Sequence, residues 1–244
     1  MSVISEKIKL FSKALKLSSF KDYHEVQRQA INSKQGYEEF LLTLLEKEVL
    51  TRQDNKLFRL KRGAKFPFEK TLEEFEVKRL SYLKPSVVGE LSSCEFIKKK
   101  KENIIMIGNP GTGKTHLSIA LGLKACNCGH KVYFTTAANL SNKLVEAQEN
   151  SNLGRFLRQL ARLDLLIIDE LSYLSFNKHQ SELLFQVISE RSERGSIIIS
   201  TNLAFSEWEE FFPDTMLTTA LIDRVTFRGH ILNMNGDSYR VSAK

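Results

Sequence analysis

Gly108, Asn109, Pro110, Gly111, Thr112, Gly113, Lys114 and Thr115 follow the spacing G-x-x-x-x-G-K-[ST]. A nucleotide's phosphates have to be surrounded by backbone N–H groups, and glycine lets a chain curl that closely without a Cβ clash. A helix that starts at the loop's end, through Lys114, Thr115 and His116, aims its positive end at the same phosphates. Lys114 supplies a mobile cation for the β- and γ-phosphates, and Thr115 a hydroxyl for Mg²⁺. The spacing predicts a nucleoside triphosphate site with Mg²⁺ over residues 108–116.

Three further groups are placed to serve such a site. Leu165-Leu166-Ile167-Ile168 runs straight into Asp169 and Glu170. Carboxylates directly after four aliphatics are costly to bury unless they serve a cation or a water. Asp169 fits coordination of Mg²⁺, and Glu170 fits the base that orients or deprotonates an attacking water. Asn202 ends the run Ile197-Ile198-Ile199-Ser200-Thr201, in reach of a γ-phosphate and its water; a plain strand-ending turn would look similar. Arg224 closes the short helical stretch Thr219–Val225. Its permanently charged fork suits developing phosphoryl charge, in its own chain or a neighbour's, and a structural ion pair explains it equally well.

These residues need a scaffold that gathers them. From residue 103 the pattern alternates, with strands expected near 104–107, 132–135, 165–168, 197–200 and 231–234. Helices are expected near 114–127, 137–149, 152–163, 178–193 and 206–212. Apolar strands separated by helices predict an α/β fold, a parallel sheet flanked by helices on both faces. Ligands in such sheets gather at the carboxyl ends of the strands, where all these motifs fall.

Residues 1–64 read as a small all-helical N-terminal domain. One amphipathic stretch carries Leu10, Phe11, Ala14 and Leu15; a stronger one carries Tyr37, Phe40, Leu41, Leu44 and Leu45. Arg52, Lys56, Arg59 and Arg62 continue the second helix as a basic stripe, either for nucleic-acid phosphates or as a solvated face. Residues 65–102 read as a linker docking on the core. Gly63 and Pro67 break the preceding helix, Thr71–Glu74 fits a capping box, and Phe75 serves as an apolar anchor. Residues 103–244 form the nucleotide-handling domain.

Charge follows the same division. Residues 1–102 hold 22 Lys and Arg against 15 Asp and Glu, whereas residues 103–244 hold 14 of each. The whole excess of +7 lies before the phosphate loop, as expected of a nucleic-acid-facing module joined to a neutral nucleotide module. No apolar run approaches the roughly 20 residues of a membrane span, and the N-terminus lacks the apolar segment of a secretory signal. Cys94, Cys126 and Cys128 form no C-x-x-C pair. A cytoplasmic setting is expected. The crowded Cys126-Asn127-Cys128-Gly129-His130 is a poor zinc spacing.

GNPGTGKTHL, LLIIDEL, ISTN and ALIDR together resemble the AAA+ ATPases of the DnaA/DnaC initiator group. Residues 64–75, 120–126, 134–138 and 36–41 narrow the resemblance to IstB-like helper ATPases of insertion sequences, over essentially the whole chain. The resemblance implies a P-loop NTPase that binds and hydrolyses ATP with Mg²⁺. It makes Asp169 and Glu170 the Walker B pair, Asn202 a sensor and Arg224 an arginine finger. It implies a sheet in the AAA+ order, with the phosphate-loop strand at its centre, and a linker, Phe66 to Phe75, packed near the adenine. The AAA+ helical lid has no counterpart, since only Asn235 to Lys244 follow the last strand. The implied partners are duplex DNA read without strong sequence preference, an IstA-like transposase, and further copies of the chain sharing ATP sites. A DnaC-like helicase loader is the competing expectation.

Overall fold

The computed structural model describes residues 2–171, 175–192, 194–210 and 212–239. The chain separates into two compact units, Met1–Arg59 and Leu60–Lys244.

The first unit holds α1 (Val3–Ala14), a 3-10 turn (Ser18–Asp22), α2 (Tyr23–Asn32) and most of α3 (Tyr37–Ala64). Ser2 caps α1 by accepting the Ser5 N–H at 3.2 Å. Its small core is Tyr23, Val26 and Leu44, with Ile8, Phe20 and Phe40 packed against it. The expected packing stripe of α1 is not the packing face. Leu10, Phe11 and Leu15 are exposed, and Ser5 and Ser12 are buried instead. The α3 stripe divides: Leu44 is buried, Phe40 half-buried, and Tyr37, Leu41 and Leu45 exposed. A unit this small has interior for a narrow strip of each helix, so apolar periodicity overstates what it covers.

One buried polar cluster ties this unit together. Glu48 accepts the Ser19 N–H at 2.9 Å, the Ser19 hydroxyl at 2.6 Å and Arg52 Nε at 2.7 Å. Arg52 Nη2 also donates to the Lys16 carbonyl at 2.9 Å. Burial alone would push the Glu48 carboxyl up; the hydrogen bonds from Ser19 and Arg52 outweigh it and hold it at about 2, below the ordinary 4.5. A carboxyl depressed by folding stabilises above its unfolded value and loses that contribution as pH falls through the folded one. Glu48→Ala is therefore expected to destabilise this unit by about 2 kcal/mol at neutral pH. The gap from wild type in chemical denaturation should close as pH falls from 4.5 toward 2.

In the second unit, α4 (Pro85–Ser92) and α5 (Glu95–Lys98) precede a five-stranded parallel sheet. Its strands are β1 (Asn103–Ile107), β2 (Val132–Thr136), β3 (Leu165–Asp169), β4 (Ser196–Thr201) and β5 (Gly229–Asn233), ordered β2-β3-β4-β1-β5. The helices between them are α6 (Lys114–Asn127), α7 (Ala137–Glu149), α8 (Leu153–Ala161), α9 (Lys178–Ser192) and α10 (Thr215–Thr226). The phosphate-loop strand β1 is interior but not central. β4 takes the middle by inserting between β3 and β1, a crossover that sequence order does not display.

Alternate residues of each strand face opposite layers. Ile105, Leu166, Ile168, Ile197 and Ile199 join Leu140, Leu144, Leu184, Ile188 and Leu221 of α7, α9 and α10. On the other face α6 approaches closely, with the Ser118 hydroxyl 3.5 Å from Met106 Sδ. Buried Arg191 donates to the carbonyls of Leu160 at 2.5 Å and Ser196 at 3.1 Å, closing the end of α8.

Three local expectations change. The capping-box residues make a turn, not a helix: Thr71 N–H reaches Glu74 Oε2 at 3.4 Å, and Phe75 N–H bonds the Leu72 carbonyl at 3.1 Å. α3 runs through Gly63 and stops where Lys65 turns left-handed at φ 59°, a common way for a helix to end. The segment expected as helix near 206–212 is a 3-10 helix, Phe205–Glu210. Among the described residues no helix is long and apolar enough to cross a membrane.

Candidate nucleotide site

The phosphate loop leaves the carboxyl end of β1 and enters α6 through Gly113, at φ 92°, a backbone setting that favours glycine. Gly108 is needed for another reason. A Cβ there would collide with the Met234 backbone just after β5. Lys114 is buried, its Nζ donating to the carbonyls of Gly108 at 2.5 Å and Asn109 at 2.7 Å. The ammonium is thus held over the loop by the loop's own carbonyls. Thr112 is buried and steadies the turn by donating to the Asn109 carbonyl at 2.9 Å.

The acid pair lies two strands along the sheet. Asp169 is buried at the end of β3, accepting the Thr115 hydroxyl at 2.9 Å and the Ser200 hydroxyl. Ser200 Oγ also accepts the Glu170 N–H at 3.0 Å. Glu170 sits at φ 56°, a left-handed setting that costs a non-glycine residue about 1 kcal/mol or more. That turn carries its side chain out of the buried strand and into the cavity. The oxygen set of Thr115 and Asp169 fits a hard cation such as Mg²⁺.

A cavity of about 460 Å³ gathers Pro110, Gly111, Gly113, Lys114, Thr115, His116, Glu170 and Asn202. It brings together the expected loop, base and sensor. Asn109 has its N–H tied to Asn235 Oδ1 at 3.1 Å. Arg224 does not line this cavity. It sits in the last turn of α10, its guanidinium 5.0 Å from the centre of the Phe185 ring on α9. Of the basic stripe, Arg52 is engaged with Glu48 and Lys16, while Lys56, Arg59 and Arg62 are exposed. Arg59 Nε donates to its own helix, at the Asn55 carbonyl, 3.1 Å away.

The cavity also has a wall built from Phe75, in the linker that the resemblance placed near the adenine, from His116, and from Tyr239, which sequence reading missed. Phe75 meets His116 edge-on at 5.4 Å, and His116 Nε2 lies 2.9 Å from the Thr71 carbonyl. Beside Phe75, residues 234–239 cross the phosphate loop. Tyr239 N–H donates to the Gly111 carbonyl at 2.9 Å, and its hydroxyl to the Glu76 carbonyl at 2.7 Å. Arg79 lies 5.0 Å from the Tyr239 ring centre. Burial and nearby Glu76 push the Tyr239 hydroxyl's pKa up, with Arg79 opposing. A single tyrosine after the last strand carries no local motif, so no sequence signal pointed to it. Of Asn235 to Lys244, the stretch after the last strand, residues 240–244 lie outside the described residues.

The family model of the IstB-like ATP binding protein matches residues 11–244. The chain belongs to that family. Among IstB-like relatives, it is 38% identical over 224 residues to a protein of Pseudomonas aeruginosa named for ATP binding in insertion sequence IS21, covering 91% of this chain and 84% of the relative. It is 39% identical over 209 residues to the corresponding protein of insertion sequence IS5376 from Geobacillus stearothermophilus, covering 86% and 83%. Among solved structures, AMPPCP-bound DnaA from Aquifex aeolicus superposes with a TM-score of 0.59 at 23% identity, over 70% of this chain and 51% of that one. The DnaC helicase loader gives 0.54 at 20% identity, over 61% and 86%. This IstB-like chain spans about half of that DnaA chain, and these likenesses establish the fold of AAA+ P-loop NTPases.

Proposed function

We propose that the chain is an ATP-hydrolysing regulator of insertion-sequence transposition. The observation that carries this is the junction of Thr115, Asp169, Ser200 and Glu170 at the edge of the nucleotide-sized cavity. ATP lies with its phosphates along residues 108–115 and its adenine against Phe75, His116 and Tyr239. Thr115 and Asp169 would hold Mg²⁺, which would supply charge neutralisation to the phosphates. Lys114 leaves its loop carbonyls for the β- and γ-oxygens. Asn202 positions the attacking water, and Glu170 takes its proton.

Arg224 completes the site of a neighbouring copy, because it stands apart from the cavity of its own chain. ATP binding thereby couples to assembly, and the exposed apolar residues of α1 and α3 are a surface for self-association or for a transposase. Lys56, Arg59 and Arg62 contact the backbone of duplex DNA. Arg52 contributes through the fold of the N-terminal unit. The assembly selects or remodels target DNA and recruits the partner transposase, and hydrolysis resets it.

The test is ATP turnover by the full chain with and without random-sequence duplex DNA. Turnover that vanishes in Lys114→Ala supports the reading. Equal turnover in wild type and Lys114→Ala would overturn it.

A further inference from the structure

A second cavity, of about 450 Å³, opens at the carboxyl ends of β2 and β3, beyond the acid pair. It shares Phe68, Thr115 and Glu170 with the nucleotide cavity, and Asp169 forms part of its inner wall. Its outer wall is cationic. Lys65 and Lys143 both lie at Tyr133, Lys65 Nζ 5.8 Å from the ring centre and Lys143 at the hydroxyl edge of the ring. Lys143 Nζ also donates to the Tyr133 hydroxyl at 2.8 Å. Among the described residues neither lysine is ion-paired with a carboxylate. Two like charges collected on one ring repel each other, and an anion between them relieves the repulsion.

We propose that this cavity binds a phosphate ion, and that its occupant is the inorganic phosphate released at the adjoining site. The proposal rests on the hydrolytic reading above. In hydrolysis the water oxygen bonds to the γ-phosphorus while the bond to the β–γ bridging oxygen breaks. ADP keeps the bridging oxygen, and a water proton passes to Glu170. In-line displacement carries the phosphoryl group away from ADP, toward the side from which water attacked. That side is Glu170, which borders both cavities. Beyond it, the charge runs from acids at the inner end to lysines at the outer end, so a phosphate dianion is repelled behind and attracted ahead.

Calorimetric titration of the ADP-saturated full chain with inorganic phosphate tests this without turnover. The double substitution Lys65→Gln, Lys143→Gln should weaken phosphate binding by about tenfold or more, with ADP affinity unchanged as the control for folding. Replacing both lysines by arginine should retain binding. Phosphate affinity indifferent to the glutamine pair overturns the proposal. Loss of duplex DNA affinity with phosphate affinity intact also overturns it, assigning the lysines to a nucleic-acid backbone instead. A chain that hydrolyses ATP while phosphate ignores the lysines loses only this site. A chain that binds phosphate through the lysines without hydrolysing ATP keeps the site and loses the hydrolytic reading.

Discussion

Glu170→Gln is expected to lower ATP turnover by roughly 10²–10⁴-fold, the range of a lost general base. ATP affinity should stay within about twofold, since glutamine keeps the shape and removes only the proton acceptor. Two features separate Glu170 from its neighbour. Asp169 is buried, with both oxygens engaged by Thr115 and Ser200. Glu170 is exposed at a left-handed turn, anchored through its own N–H to Ser200 and so free to aim its carboxylate into the cavity. Asp169→Asn should therefore weaken the Mg²⁺ dependence of ATP binding, and Glu170→Gln should not. Rapid quench and equilibrium binding on the same preparations separate the two effects. A Glu170→Gln chain that turns over normally would remove this carboxylate from the chemistry.

Arg224→Ala is expected to lower turnover by roughly 10³-fold, as for loss of an arginine finger. The stability cost should be small, about 0.5–1 kcal/mol from the contact with Phe185. Position decides how the loss arises. Arg224 lies on the α9–α10 face and does not border its own chain's cavity. A site built in trans predicts complementation. Mixed with Glu170→Gln chains, Arg224→Ala chains regain activity, because some interfaces pair an intact Glu170 with a neighbour's intact Arg224. If the arginine acted within its own chain, each mixed assembly would contain only defective sites, and mixing would restore nothing.

The legible parts of this molecule were those written in short, contiguous chemistry. The phosphate loop, the aliphatic run into Asp169-Glu170 and the Ile197–Asn202 run each specify a strand end, and the sheet places those ends side by side. The order of the sheet was less legible, because β4 reaches the centre through contacts between residues far apart in sequence, such as Ile104 opposite Ile198. Tyr239 as a cavity wall was hidden for the same reason: it closes on the loop from a distant segment, whereas Phe75 lies in the linker that the resemblance placed near the adenine. In α1 the helical period was evident but its buried face was not. Leu10 and Phe11 face solvent while Ser12 is buried, and a three-residue core in the first unit offers no place for both. Arg52 looked like one of four equivalent cations. Its bond to buried Glu48 sets it apart.

Assembly on DNA is the central claim, and anisotropy with sedimentation tests it most directly. Random-sequence duplex and single-stranded DNA would each be titrated with the full chain, with ATP, with ADP and without nucleotide. Large assemblies on duplex DNA that require ATP are expected, with affinity falling steeply as salt rises. Preference for single strands, or binding indifferent to nucleotide, would contradict it and favour a helicase-loading role.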